Sequence, residues 1–422
     1  MLNSYKKFRT AVGYLESFQN ITYRDKLESP QCGIDRTKFL LKLLNNPERK
    51  LRYVHITGTS GKGSVCSLIA KCIENNNKRV GLFTSPFAVS TVEKIQVNNR
   101  YISANEFINI VEKIKPVLDR MALTSPYGVA TYFEICFVLS ILYFVEKKCV
   151  FAVLEVGLGG TYDATNVIPA PEVSAITNIG YDHLNILGKT LEKIASDKGG
   201  IIKKGSNFFT TESNEKIIKI LKNKCKKVGA HYNQVLQDTN NYKNSNENLA
   251  RSICSILKLK DLSSLKQKTP LPCRFEVVRN KPLVILDGAH NKDKMATVIA
   301  NLKCLTYKKL SVIIAISEDK DFKEIMKQIA PISDKIYITH FSFAGRKCVK
   351  LSDLYSQAKK YARKNTNIFI YTDQFKAYSK ALKDSGPQDA LLVTGSFFLA
   401  GDIRAIYYPE QKILENRRSF FN

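Results

Sequence analysis

Long apolar runs are missing from this 422-residue chain; the longest candidate, Ile135 to Val145, is bounded by Glu134 and Glu146 and is too short to span a bilayer. The ten cysteines form no C-x-x-C pair, which argues against a zinc knuckle and a disulfide framework. Buried free thiols in a reducing cytoplasm are the expectation. The first residues, Met1-Leu2-Asn3-Ser4-Tyr5-Lys6-Lys7, lack the apolar core of a signal peptide, so a cytoplasmic location is expected. Low-complexity runs are absent, histidine occurs only five times, and 38 acidic residues face 65 basic ones. The resulting net charge of +27 invites a nucleic-acid reading. No helix-turn-helix, RNA-binding pattern or aromatic-and-basic module accompanies the lysines at 222, 224, 226, 227, 258 and 260, so no nucleic acid and no membrane are expected as partners. Positive potential that attracts a polyanionic small substrate is the remaining reading of the charge.

A hydrophobic fraction of 44% and this length predict a globular protein of two domains. The most informative stretch is Val54 to Ser64: an apolar strand, then Gly58-Thr59-Ser60-Gly61-Lys62-Gly63-Ser64, then Val65, Leu68, Ile69, Cys72 and Ile73 at helical spacing. Backbone N–H groups, a helix start and one lysine make this a phosphate-binding loop. It departs from the general P-loop, since Ile56 stands where a glycine is usual and Gly63 separates Lys62 from the Ser64 hydroxyl.

Residues 1–52 read as helical, with an irregular stretch from Ser29 to Arg36 between two apolar stripes. A strand over 79–83 ends at Thr84-Ser85-Pro86, where Ser85 on its own reads as a turn residue. The helix Tyr132 to Glu146 feeds an apolar strand ending in Glu155-Val156-Gly157-Leu158-Gly159-Gly160. A carboxylate at the end of a core strand calls for a cation or donor, and Mg²⁺ is the functional reading. A strand from Val173 to Ile179 leads to Asp182-His183, a capping histidine or a ligand. A helix near 191–195 runs to Lys198, whose ordinary role would be a cation at a helix C-terminus. Residues 208–257 read as polar and less regular, and Thr269-Pro270-Leu271-Pro272 as the linker. Strands at 283–286, 310–316, 335–339, 368–371 and 390–394 then alternate with amphipathic segments, which predicts a second α/β domain with a mostly parallel sheet.

These motifs together resemble the folylpolyglutamate synthase and dihydrofolate synthase group of the Mur ligase superfamily. The resemblance runs from Tyr14 to Arg404 and adds Thr131-Tyr132-Phe133-Glu134, Asp163-Ala164-Thr165-Asn166, Leu187-Gly188-Lys189-Thr190, Lys198 to Lys203, Asp287-Gly288-Ala289-His290-Asn291, Asp319-Lys320-Asp321 and Thr394-Gly395-Ser396. It implies an α/β fold: a P-loop-type ATPase domain over 1–269, a smaller Rossmann-like domain over 270–422, and an active site in the cleft between them. It implies ATP and two Mg²⁺ ions, with a monovalent cation as an optional third. Ser85, Glu155, His183 and a carbamylated Lys198 become metal ligands, and Lys62, Glu155, His183 and Lys198 the catalytic set. ATP would contact Thr59, Ser60, Gly61, Lys62, Gly63, Ser64, Asn246, Arg274, Asp287 and His290. The pterin substrate would lie against Thr131, Tyr132, Phe133, Glu134, Tyr162, Asp163 and Ala164. The implied reaction joins L-glutamate to a folate, or to dihydropteroate, through an acyl phosphate, in a monomer. A ligase for UDP-sugar precursors and a nucleic-acid-associated P-loop ATPase are the alternatives. Departures from the family pattern are Ser60 for asparagine, Thr161 for arginine, Gly199 for alanine, Cys273 for glycine, and Cys32-Gly33-Ile34-Asp35 in the segment that contacts dihydropteroate in bifunctional members.

Overall fold

A computed structural model describes residues 2–20, 29–236, 242–266, 270–342 and 346–421. The chain divides into two compact units. The first comprises Met1–Pro86, Thr91–Thr269 and Leu414–Arg418; the second comprises Phe87–Ser90, Pro270–Ile413 and Ser419–Asn422.

The first unit is built on eight strands: β1 (Arg52–Thr57), β2 (Val80–Phe83), β3 (Ile95–Val97), β4 (Arg100–Tyr101), β5 (Phe151–Glu155), β6 (Val173–Ile176), β7 (Asn207–Thr210) and β8 (His231–Gln234). They lie in the order β4-β3-β2-β5-β1-β6-β7-β8. All neighbours from β2 to β8 pair in parallel, and β3 and β4 add an antiparallel edge. β1, β2, β5 and β6 carry almost only buried residues, as strands covered on both faces must. Register sets Ile56 beside Glu155, Phe83 beside Leu154 and Thr57 beside Ile176. The carboxyl ends of β2, β5, β1 and β6 therefore fall in one row, where open α/β sheets bind ligands.

Helix Lys62–Asn75 buries Val65, Ile69, Cys72 and Ile73 in one cluster with Leu249, Ile253 and Leu257, from and just beyond helix Tyr242–Ile256. That second helix corrects the sequence reading of residues 208–257 as irregular. β7, helix Glu215–Val228, β8 and helix Tyr242–Ile256 all lie there. In Glu215–Val228 only Ile217, Leu221 and Cys225 are fully buried, a narrow apolar stripe among lysines. A second correction concerns Ser29 to Arg36. Gln31–Leu43 is one helix that starts directly after Pro30, with the Gln31 N–H donating to Ser29 Oγ at 3.2 Å. Part of the expected linker, Thr269, lies outside the described residues, as do Asn240 and Asn241 of the weakly patterned segment.

The second unit holds β9 (Glu276–Asn280), β10 (Leu283–Leu286), β11 (Leu310–Ile314), β12 (Lys335–Ile338), β13 (Asn367–Ile370) and β14 (Ala390–Thr394) in the order β13-β12-β11-β14-β10-β9. Five strands are parallel, as the alternation predicts, and β9 pairs antiparallel at the edge. Two apolar clusters cover the sheet, one around Val312, Ile314, Met326 and Leu354, the other around Leu286, Tyr337, Val393 and Ile403. No described helix is long and apolar enough to cross a membrane.

Candidate active site

The phosphate loop runs from the end of β1 to the start of helix Lys62–Asn75. Gly61 sits at the helix N-cap with φ 82°, a backbone state that glycine adopts without strain. A Cβ there would also stand 2.6 Å from Asn246 Oδ1, so the glycine lets the Asn246 amide lie against the loop. The loop is braced from β6: Thr59 N–H donates to Asn178 O at 3.0 Å, Ser60 N–H to Asn178 Oδ1 at 2.8 Å, and Thr177 Oγ1 to Ser60 O at 2.5 Å. The Ser60 hydroxyl is buried without a partner among the described residues, an unsatisfied donor within an anion-binding loop. Lys62 Nζ donates to Gly58 O at 2.9 Å, and Lys198 Nζ reaches the same oxygen at 3.1 Å. Two ammonium groups on one carbonyl make the loop strongly attractive to anions. Thr59 is buried, and Gly63 and Ser64 are partly open at the helix start.

Glu155 ends β5 and is buried. Its Oε2 accepts the Ser85 N–H at 3.1 Å and would lie 3.3 Å from a Cβ on Gly63. Gly63 is thus the residue that lets the carboxylate approach the first turn after Lys62. Glu155 and Ser85 oxygens beside a phosphate loop are the hard donors that Mg²⁺ takes, so the donor chemistry fits a divalent ion. His183 follows β6 with φ 52° and its Nε2 lies 3.7 Å from Asp182 Oδ1. Among the described residues, no three His, Cys, Asp or Glu side chains gather as a metal-binding group. Serine and a modified lysine would have to complete the set. Lys198, at the end of helix Leu191–Lys198, is almost fully buried.

The sequence reading missed Lys94. It is buried with its Nζ 5.5 Å from the Tyr132 ring centroid and 5.8 Å from that of Phe133. Burial pushes its ammonium pKa down, while Cys136 and Glu155 pull it back up. Nothing in its local pattern announces this; the contact depends on helix Tyr132–Glu146 packing against β2, whose neighbour β3 begins directly after Lys94.

Of the expected substrate wall, Tyr132 donates to or accepts from Thr91 Oγ1 at 2.8 Å, and Phe133 lies where a Cβ on Gly157 would stand 2.5 Å from its ring. Tyr162 is exposed and Ala164 buried. Glu134 takes Arg36 in a buried two-pronged ion pair, Nε to Oε2 at 2.8 Å and Nη2 to Oε1 at 2.9 Å. Its Oε2 also accepts Thr131 N–H at 2.9 Å. Asp163 is equally committed: Oδ2 accepts Leu158 N–H at 2.8 Å, and Oδ1 accepts Thr165 N–H at 3.0 Å and Thr165 Oγ1 at 2.5 Å. Burial pushes its carboxyl up and these bonds hold it down. Both acids shape the wall by holding backbone.

In the second unit, Asp287 Oδ2 accepts Phe275 N–H and Oδ1 accepts Ala289 N–H, both at 2.7 Å. His290 Nδ1 lies 2.7 Å from Gly288 O, and its Nε2 lies 3.0 Å from Lys294 Nζ. The Arg274 guanidinium stands 4.8 Å over the Phe397 ring.

Residues 56–280 match the Mur ligase middle domain, and residues 273–397 the Mur ligase glutamate ligase domain. The dihydrofolate synthase/folylpolyglutamate synthase of Bacillus subtilis is 30% identical over 418 residues, covering 88% of this chain and 94% of the relative. The chain belongs to the dihydrofolate synthase/folylpolyglutamate synthase family of Mur ligases. Among solved structures, the folylpolyglutamate synthase of Thermotoga maritima is 28% identical with a TM-score of 0.74, covering 89% of this chain and 93% of that one. The Mycobacterium tuberculosis folylpolyglutamate synthase complexed with ADP, 23% identical, shares the fold at a TM-score of 0.84 over 95% and 99% of the two chains.

Against this ligase family, the departures acquire local explanations. Cys273 has φ 55°, a left-handed state that a glycine would adopt without strain. Thr161 donates to Asp197 O at 2.8 Å and packs where a Cβ on Gly200 would clash. Gly199 is helical, and a Cβ there would meet nothing closer than Leu221 at 3.5 Å.

Proposed function

We infer that this chain is an ATP-dependent ligase that adds L-glutamate to the carboxylate of a folate. The observation that carries the reading is the meeting of Lys62 and Lys198 on the Gly58 carbonyl, with Glu155 against Gly63. A plain ATPase loop needs one lysine; a second buried lysine that can be carbamylated to a metal-binding anion, beside a strand-end carboxylate, suits transfer to a substrate carboxylate.

The loop amides, Ser60 and Lys62 hold the β- and γ-phosphates. Thr59, Gly61, Gly63, Ser64, Asn246, Arg274, Asp287 and His290 are assigned to the rest of the nucleotide. The backbone-committed Asp287 carboxylate orders its own loop. Ser85, Glu155, His183 and Lys198 as its carbamate are the residues that would hold Mg²⁺. A bound divalent ion supplies charge neutralisation on the transferring phosphoryl oxygens. Carbamylation turns the Lys198 cation into an anion and leaves one N–H on Nζ, enough to keep the bond to Gly58 O. The wall of Thr131 to Glu134 and Tyr162 to Ala164 holds the pterin end, so that the folate carboxylate meets the γ-phosphoryl group. The carboxylate oxygen takes the γ-phosphoryl group as its bond to ADP breaks and ADP leaves; the glutamate amine then attacks the acyl phosphate, forming the amide as phosphate leaves and the amine gives up a proton. Residues 1–269 and 270–422 are assigned as the nucleotide- and folate-binding domain and the glutamate ligase domain. The enzyme is read as a monomer, with neither nucleic acid nor membrane as a partner.

ADP release measured with tetrahydrofolate or dihydropteroate, each with and without glutamate, tests this. Glutamate-dependent release with tetrahydrofolate is expected, and release with dihydropteroate would add dihydrofolate synthase activity. Turnover with a UDP-sugar precursor alone, or stimulation by DNA or RNA without glutamate, would overturn the reading. Lys198→Ala should abolish turnover while AMPPNP binding stays within about threefold of wild type. Lost nucleotide binding would assign Lys198 to the phosphates instead.

A further inference from the structure

Glu212, just beyond β7, belongs to none of the motifs above, yet its carboxylate bridges two elements. Oε2 accepts the Ile179 N–H at 3.0 Å, while Oε1 accepts the Ser213 and Asn214 N–H groups, both at 3.0 Å. The residue is buried and anchored on both sides. Its own N–H donates to Thr210 Oγ1 at 3.1 Å, and Gln234 Nε2 donates to its carbonyl at 2.7 Å. Thr211 Oγ1 adds a bond to Thr177 O.

The segment it grips, Thr177 to Gly180, touches the phosphate loop with its other side. Asn178 accepts the Thr59 and Ser60 N–H groups, Gly180 N–H donates to Thr59 Oγ1 at 2.9 Å, and Thr59 Oγ1 donates to Gly180 O at 3.1 Å. Three residues after Gly180 comes His183, in a left-handed backbone state that persists only where surroundings impose it. The segment is thus a strut between β7 and the phosphate loop, and its far end presents His183.

We propose that Glu212 is a positioning residue. By fixing the strut from the β7 side, it sets the phosphate loop and His183 relative to each other, and so the response of nucleotide binding to the divalent ion. The proposal rests on the nucleotide and metal roles assigned above. It needs both oxygens of a carboxylate: an amide offers one acceptor and would put an NH₂ against the Ile179 or the Ser213 and Asn214 N–H groups.

The test compares Glu212→Ala and Glu212→Gln with wild type. AMPPNP affinity is titrated with and without Mg²⁺ in the absence of folate and glutamate. The Mg²⁺-dependent tightening should shrink about tenfold in each variant, as loss of a supporting partner does. The folate KM should stay within about twofold. Amide exchange at Ser60 and Gly180, followed without any ligand, should quicken in Glu212→Ala. Unchanged tightening in both variants, an equal loss of folate and nucleotide affinity, or unchanged exchange would overturn the proposal. Absence of Mg²⁺-dependent tightening in wild type would instead strike the metal assignment, with the exchange readout still deciding the strut. Should the alanine variant fail to fold, the glutamine variant carries both readouts.

Discussion

At the scale of single residues, two positions make predictions of opposite character. Gly199 follows Lys198 in helical conformation, and a Cβ there would meet only ordinary van der Waals contacts. Gly199→Ala should therefore stabilise the fold by roughly 0.4–1 kcal/mol, chiefly by restricting the unfolded chain. Urea midpoints of the two proteins check this, and a lower midpoint in the variant would show strain the geometry does not contain. His55, in the centre of β1, is fully buried, and burial, with Lys203 adding to it, drives its pKa down to about 3. Its Nε2 lies 2.8 Å from Thr165 Oγ1, whose proton goes to Asp163, so the ring donates from Nε2. The folded state keeps the ring neutral while the unfolded chain protonates near pH 6.5. The linkage is therefore absent above pH 6.5, and stability falls as pH drops from there toward 3, by about 1.4 kcal/mol per unit from this group. Unfolding free energies at pH 7, 6 and 5 should fall by about half that slope from 7 to 6 and by nearly all of it from 6 to 5 in wild type, and His55→Gln should lose this part of the fall. Equal slopes would move the acid sensitivity elsewhere.

Among elements, helix Gln31–Leu43 is fastened to helix Tyr132–Glu146 by Arg36 and Glu134, both buried. Removing one partner strands the other charge, so Arg36→Met should destabilise by about 3–5 kcal/mol. Adding Glu134→Gln should recover part of that loss, since the amide keeps an acceptor for Thr131 N–H. A strictly additive double variant would mean that the two are not coupled. This pair also marks where local reading of the chain stops. The phosphate loop, the strand ending in Glu155 and helix Tyr132–Glu146 are legible because strand, turn and helix follow one another within a few residues. Arg36 and Glu134, Ser60 and Asn178, and Ile179 and Glu212 are each joined only by the order of the sheet and its helices. Helix Glu215–Val228 is illegible for another reason: its lysines outnumber the three residues of its buried stripe. Glu155 reads as a Mg²⁺ ligand from its place at a strand end alone, whereas Lys198 reads locally as a helix-end cation and only the family resemblance makes it a carbamylated metal ligand.

For the whole molecule, the unresolved feature of the composition is the net charge of +27. Lysines crowd the exposed face of helix Glu215–Val228, at 216, 219, 222, 226 and 227, and among the described residues none of the five takes part in an ion pair. Such a surface adds little to stability but raises the local concentration of anions. The substrates assigned above differ in charge by one carboxylate per added glutamate, so a long-tailed folate should feel the field more than a short one. Salt screens that attraction, with a Debye length of about 10 Å at 0.1 M falling to about 3 Å at 1 M. The KM for a folate with several glutamates should therefore rise more steeply between 50 mM and 500 mM KCl than the KM for the monoglutamate, with kcat little changed for either. Charge reversal of Lys219, Lys222 and Lys226 to glutamate should flatten the long-tail response first. A salt dependence that ignores tail length would leave the excess charge as surface composition, with no part in choosing the substrate.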